Sequence, residues 1–199
     1  MSENRRYHHG DLRAALIETS FLLLAEQGLE RFSVAAVARR LGVSSAAPYR
    51  HFPDRARLLG AVSAIAARDL RVAIADAADA AGPDPADRLA AASGAYVRYV
   101  ARTGAGIHVV YAAELYDLQD DGRREQTRAL MTTLLDLASA TGPRSYEAAV
   151  LLVEATLAVA HGYTSLYADR FFARRSSTVD DIAARACEAA RILIAPSGR

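Results

Sequence analysis

Residues 32–59 read FSVAAVARRLGVSSAAPYRHFPDRARLL, and this stretch decides the fold. Ser33 stands where a helix N-cap belongs, bracketed by Phe32 and Val37, the two apolar members of a hydrophobic staple. Val34, Val37, Ala38 and Leu41 recur at i, i+3, i+4 and i+7, one apolar stripe on about two helical turns. Gly42 supplies the left-handed residue that ends a helix, and Val43 covers the turn. Ser44 or Ser45 caps a second helix, which must end near Phe52 because Pro53 disfavours helical geometry in the residue before it. Two helices of about two turns joined by a tight glycine turn make a helix-turn-helix. So small an element must be packed by something else in the chain.

The second of these helices carries hydrogen-bonding groups rather than core. Ser44, Ser45, Tyr49, Arg50 and His51 crowd it, and the small Ala46 and Ala47 allow close approach to a surface. In a DNA-reading helix-turn-helix the second helix enters the major groove with its N-terminal residues against base edges. Pro48 would cost about 3 kcal/mol inside a helix. With Ser45 as the cap it falls in the first turn, where its missing N–H had no helical partner anyway. A generic helical hairpin with a polar outer face fits the same spacing, and spacing alone leaves the two readings level.

The order of these residues resembles a known family. The apolar first helix with its glycine turn, then Tyr49-Arg50-His51-Phe52 and Leu58-Leu59, is similar to the N-terminal domain of TetR-type transcriptional regulators. Tyr7-His8-His9-Gly10-Asp11-Leu12-Arg13 resembles the opening of a common variant of that family. The strong motif covers residues 7–60. Chain length, helix order and Ala160-His161-Gly162 extend a weaker likeness through the rest. The resemblance implies a dimeric regulator, usually a repressor, with a DNA-binding domain at 1–60 and a helical ligand-binding and dimerisation domain at 61–199. It implies that Ser45, Ala46, Ala47 and Arg50 approach base edges of a palindromic double-stranded DNA operator, while Ser33, Tyr49, His51 and Arg55 hold phosphates. One position departs from the pattern: Ala35 stands where some members carry an arginine that reads a base.

Composition agrees. A chain of 199 residues is one domain or two small ones, with length enough to bury a core. The first 30 residues lack a secretory pattern and no run of 18 uninterrupted apolar residues occurs, so a cytoplasmic protein without a membrane partner is expected. Cys187 is the one cysteine, which excludes an internal disulfide and CxxC metal spacing. Residues 1–60 hold nine arginines against six acids, a net +3, whereas 61–199 hold fifteen against seventeen, a net −2. The basic part is the part with the helix-turn-helix, as phosphate binding requires, although an excess of three is modest.

Along the chain, residues 1–7 form a polar arm whose Arg5 and Arg6 either reach DNA or are merely solvated. A first helix from about Asp11 to Gln27, apolar at Leu12, Ala15, Leu16, Thr19, Leu22 and Leu23, is the packing partner the motif needs. Asp54 caps a long helix from Arg55 to about Ala81, and Asp84 with Pro85 at the first helical position opens another, closed by Gly104-Ala105-Gly106. Further helices are expected at Ile107 to about Tyr116, Arg123–Ala140, Ser145 to about Arg174 and, capped by Ser176-Ser177-Thr178, Val179–Ile194. The fold expected is all-α, with about nine helices.

No HExxH, P-loop, strand-following GxGxxG or GxSxG is present, so no catalytic residue and no cofactor is expected. His108 and His161 with Glu114 or Glu154 are a weak metal set, since histidines on apolar helices are more often core. Tyr96, Tyr99, His108, Tyr111, Glu114, Tyr116, His161, Tyr163 and Tyr167 interrupt apolar helices that an ordinary core would fill with Leu, Val and Phe. They are the expected lining for a small-molecule effector, whose identity the residues do not name. The competing class is a helical small-molecule or metal-binding protein without a DNA function. The last two long helices carry more apolar surface than one small domain needs, which points to a homodimer. Coupling of effector to DNA is expected through the helix that begins at Arg55.

Overall fold

The computed structural model describes residues 11–143, 145–173 and 178–194. Every regular element among them is helical: α1 (Leu12–Gln27), α2 (Val34–Leu41), α3 (Arg55–Ala80), α4 (Pro85–Thr103), α5 (Ile107–Val110), α6 (Asp121–Ala140), α7 (Tyr146–Ala168) and α8 (Val179–Ile194). Short 3-10 turns lie at Pro48–Arg50 and Ala113–Leu115. The all-α expectation holds, with eight α-helices among the described residues where nine helices were expected. The N-terminal arm, His8, His9, Ser176 and Ser177 lie outside the described residues.

Capping sets most of the boundaries. Asp11 Oδ1 accepts from the Ala14 N–H at 3.0 Å, Ser33 Oγ from Ala36 at 3.2 Å, Asp54 Oδ1 from Arg57 at 2.7 Å and Asp84 Oδ1 from Ala86 at 2.7 Å. Each satisfies a donor that the first helical turn leaves open, worth about 1 kcal/mol. Thr178 and Asp181 cap α8 reciprocally: Thr178 N–H donates to the Asp181 carboxylate at 2.8 Å, and Asp181 N–H to Thr178 Oγ1 at 3.2 Å. Gly42 ends α2 in the left-handed region at φ 69°, and the Val43 N–H returns to the Ala38 carbonyl at 3.1 Å.

Three segments end earlier than their spacing predicts. The second helix of the motif, expected from Ser45 to Phe52, is only the Pro48–Arg50 turn. Pro48 has no N–H to give to Ser44, and the neighbouring bonds are tight ones, Ala47 to Ser44 at 3.0 Å and His51 to Pro48 at 2.9 Å. The helix expected over 107–116 splits after Val110, whose carbonyl accepts instead from Ser63 Oγ and Arg123 Nη2. α7 stops at Ala168 rather than near Arg174, because Arg170 takes a left-handed φ of 58° and the Phe171 N–H turns back to Leu166 at 2.9 Å.

An eight-residue helix such as α2 does not persist alone in water. Packing holds it: Val34 and Val37 bury against a core that includes Leu16, Leu24, Phe32, Phe52, Leu58 and Leu59. Full burial of each large apolar side chain contributes about 1.5–3 kcal/mol. On α1 the inner face is Leu16, Ile17, Ser20, Leu23 and Leu24, while Leu22, expected inside, is 54% exposed. α3 is unbroken across residue 60, with Leu58, Leu59, Val62 and Leu70 all buried, so one helix serves both halves of the chain.

In the larger half α4 is the hub, packed by α3, α6, α7 and α8. Small residues let the helices close in: at Gly94 a Cβ would stand 2.6 Å from Cys187 Sγ of α8, whose Ala183, Ala186 and Ala190 are fully buried. Cys187 is thus a packing thiol, and burial raises its pKa. α7 is long and apolar enough to cross a membrane by length and composition, with mean hydropathy 1.4 over its most apolar window. Its neighbours here are α4, α6 and α8.

Gly104 ties the two halves together. It ends α4 at φ 65°, and a Cβ there would fall 2.4 Å from the Ala25 backbone nitrogen of α1. Gly104→Ala combines left-handed strain with a clash against backbone that cannot rotate away, so a loss of about 2–4 kcal/mol is expected. Thermal unfolding should show a midpoint lower by roughly 5–15 °C. A shift under 2 °C would mean that the α4–α1 approach opens without cost.

Candidate nucleic-acid interface and the polar cluster behind it

The segment 44–51 is a short polar loop on a buried footing. Pro48 and Phe52 face inward, Phe52 at 3% exposure beneath the Arg13 guanidinium, which lies 5.3 Å from the ring centroid. The intervening side chains are thereby turned out: Ser44, Ser45, Ala46, Tyr49, Arg50 and His51 are exposed, and Ala47 is half-buried. Tyr49 is 51% exposed, far above what a tyrosine packed for stability would show. Ser33 is half-buried with its Oγ engaged as the cap of α2, so the helix N-terminus beside it is already partly satisfied.

Arg55 does something other than the phosphate contact expected of it. Its Nε donates to the Phe32 carbonyl at 3.0 Å and its Nη2 to the Leu29 carbonyl at 3.0 Å, and its Nη1 pairs with Glu114. The guanidinium also lies 5.5 Å from the centroid of the Phe32 ring. With Nε and both terminal nitrogens engaged by other parts of the chain, Arg55 is a strut of the fold. The reason is positional: as the first residue of α3 it faces the 29–32 turn, whose non-helical carbonyls need donors.

The residues expected to line a ligand site separate into groups. Tyr96, fully buried, bonds His161 Nδ1 at 3.0 Å and accepts from the Ile107 N–H at 3.1 Å. A phenol is both donor and acceptor, so Tyr96 can serve the Ile107 N–H and the His161 ring at once. The rings of His108 and His161 stand 5.7 Å apart. Burial lowers the His108 pKa, the neighbouring His161 lowers it further, and a hydrogen bond to the Gly104 backbone opposes both. Burial pushes the Tyr96 hydroxyl up to about 12, so it stays a neutral donor at any physiological pH.

The other six lie elsewhere. Tyr111 donates to the Thr127 carbonyl at 3.3 Å. Tyr99 is buried with Arg102 5.8 Å from its ring centroid, and burial followed by nearby Asp69 pushes its hydroxyl up to about 12. Tyr163 and Tyr167 pack on the small cluster of Val97, Ile182, Ala183 and Ala186, where Tyr163 stacks on Phe172 at 6.1 Å. Glu114 belongs to Arg55, and Tyr116 is 69% exposed. No group of three metal-ligating side chains converges among the described residues.

Arg123 carries no sequence signal, yet only 7% of it is exposed. Its Nε donates to Ser63 Oγ at 3.2 Å and its Nη2 to the Val110 carbonyl at 3.1 Å, joining α3, α5 and α6. Burial lowers its pKa, offset in part by Asp120. Nothing in the spacing of Asp121-Gly122-Arg123-Arg124 tells which of the two arginines turns inward.

Against known proteins, residues 16–62 match the model of the bacterial regulatory proteins of the tetR family. The HTH-type transcriptional regulator BetI of Stenotrophomonas maltophilia is 35% identical over 79 residues, 40% of this chain and 40% of its own length. Among solved structures, a protein with unknown function from Rhodococcus sp. RHA1 superposes with a TM-score of 0.71 at 26% identity, covering 96% of this chain and 100% of that one. A bacterial regulatory protein in the tetR family from Rhodococcus RHA1 superposes with a TM-score of 0.60 at 24% identity, covering 94% and 98%. The likeness to tetR-family regulators is thus one of sequence over residues 16–62, and the whole-chain likeness is one of fold.

Proposed function

We propose that this chain is a sequence-specific DNA-binding regulator, acting as a homodimer and most simply as a repressor released by a small molecule. The observation that carries the reading is the 44–51 loop. Buried Pro48 and Phe52 hold it, and six polar or small side chains project from it with no packing role. Ser45, Ala46, Ala47 and Arg50 are assigned to base edges, and Ser33, Tyr49 and His51 to phosphates. Arg55 leaves that set because its nitrogens are engaged inside the fold. The functional division follows the expected one, with 1–60 reading DNA and 61–199 sensing and dimerising. α3 is common to both.

A single loop of this size reads too few bases for useful discrimination, so two copies on a two-fold operator are needed. The surface for pairing is on α7 and α8, where Leu151 is 65%, Leu166 39%, Ile192 72% and Leu193 49% exposed. Large apolar side chains left open along two adjacent helices are what a second copy would cover. The effector site is assigned to the polar cluster of Tyr96, His108 and His161, a few hydrogen-bonding groups within an apolar bundle.

Arg50→Ala should relax sequence preference, weakening a selected operator roughly 10- to 100-fold more than a scrambled duplex, the discrimination of one bidentate guanine contact. Tyr49→Phe should weaken both alike. Fluorescence anisotropy on the two duplexes measures this, and equal losses for Arg50→Ala would move that residue to the phosphate set. Leu151→Arg with Ile192→Arg should convert a particle of twice the chain mass into a monomer by light scattering, and operator affinity should fall with it. A double variant that stays dimeric would place the interface elsewhere. Thermal-shift screening of small molecules, repeated on His161→Ala, should find stabilising compounds that lower operator affinity about 5- to 150-fold in the parent protein alone.

A further inference from the structure

The first turns of α3 are clamped by the 110–123 segment at successive levels. Arg55 pairs with Glu114 in the Ala113–Leu115 turn. Arg57 Nη1 donates to the Gln119 carbonyl at 2.8 Å. At Gly60 a Cβ would meet Leu118 Cδ2 at 2.4 Å, so the Leu118 side chain lies directly against the bare backbone of α3. Ser63 Oγ donates to the Val110 carbonyl at 2.9 Å. α5, which leads into this segment, is tied to the polar cluster, since the Ile107 N–H at its start donates to Tyr96, which bonds His161.

We propose that Glu114 is a positioning residue for the DNA-reading end, acting through Arg55. Arg55 has one arm on Glu114 and two on the carbonyls of Leu29 and Phe32, the turn that enters α2. Glu114 sets where the guanidinium sits, and the guanidinium sets the 29–32 turn. The turn leads directly into the Ser33 cap of α2, and Phe32 is part of the same core as Phe52, the inner anchor of the reading loop. A ligand that draws Tyr96 away from Ile107, directly or by engaging His161, frees the start of α5, and Glu114 is the contact by which that displacement reaches the loop. This regulation rests on the DNA-binding reading above.

The proposal makes a prediction of unusual sign. Glu114 is an acid with a side chain 33% exposed near the DNA-facing end. Were it only a surface charge, neutralising it would strengthen binding to a polyanion. As a positioning residue its neutralisation weakens binding. Glu114→Gln should lower operator affinity roughly 3- to 10-fold, the span of a charge-assisted contact that is only partly screened. Glu114→Asp, which keeps the charge, should bind more tightly than Glu114→Gln. In an Arg55→Met background the change at Glu114 should have no further effect.

Hydrogen exchange gives a readout that needs no DNA. In Glu114→Gln the amides of Ala36, Val37 and Val43 should exchange several-fold faster, while those of Ile182 to Ala190 keep their parent rates. Unchanged or tighter operator binding, or unchanged exchange in α2, overturns the proposal, and the Glu114 variants suffice for this if Arg55→Met does not fold. Should the parent chain bind no duplex while α2 exchange still accelerates, DNA reading and the regulation built on it fall together, and only the mechanical link stands.

Discussion

The guanidinium of Arg55 joins more of this molecule than any other group described here. The turn at residues 29–32 presents carbonyls outside any helix: Leu29 accepts from the Phe32 N–H, and a buried carbonyl left unpaired would cost about 1–3 kcal/mol. Arg55 reaches two of them from the first residue of α3, stacks on Phe32 and still has an arm for Glu114. A lysine could not do this, because an ammonium is one point charge whereas the guanidinium is a planar fork with five donors. The small N-terminal motif is thus tied to the long α3 by this side chain as well as by the shared core of Val37, Phe32, Phe52, Leu58 and Leu59. Arg123 performs the same service deeper in, between Ser63 and the Val110 carbonyl.

The rest of the bundle is held by a different means. Alanine and glycine line the facing sides of α4 and α8, so these helices approach closely and gain dispersion contacts over their full length instead of relying on large interlocking side chains. Such packing leaves little room for added volume at Gly94, where a methyl group would meet Cys187 Sγ at 2.6 Å and the Ala183 carbonyl at 3.3 Å. Polar groups then stand out. Tyr96 and His161 are satisfied by each other and by Ile107, and that satisfaction is itself a fragile arrangement, since any competing hydrogen-bonding ligand unpairs a backbone N–H at the start of α5.

The 44–51 loop, proposed to read DNA, keeps its shape with little regular structure. The 44–51 segment has helical dihedrals at Ala47 and His51 but 3-10 hydrogen bonding between them. Its rigidity comes from Pro48, whose ring fixes one torsion, and from Phe52 sealed in the core. Side chains on a loop pinned at both ends lose less freedom on binding than those on a mobile one, which favours affinity without adding contacts.

Much of this was legible from residues alone, and for a definite reason. Caps, staples, glycine stops and apolar stripes are local, so Ser33, Asp54, Asp84 and Gly42 could be assigned before any contact was known, and they stand where expected. The all-α class follows from the same periodicity. The grouping of the polar residues was not legible, because it depends on which helices meet. Tyr96 and His161 are 65 positions apart and bonded, whereas Tyr99, three residues from Tyr96, points to a different surrounding. Arg55 and Glu114 show the same limit: each looks like a site residue in one dimension, and only the packing of the Ala113–Leu115 turn against the start of α3 makes them partners. Local energetics decide helices and their ends, but the fate of a long charged side chain is decided by whichever unsatisfied carbonyl or carboxylate the tertiary fold brings within its reach.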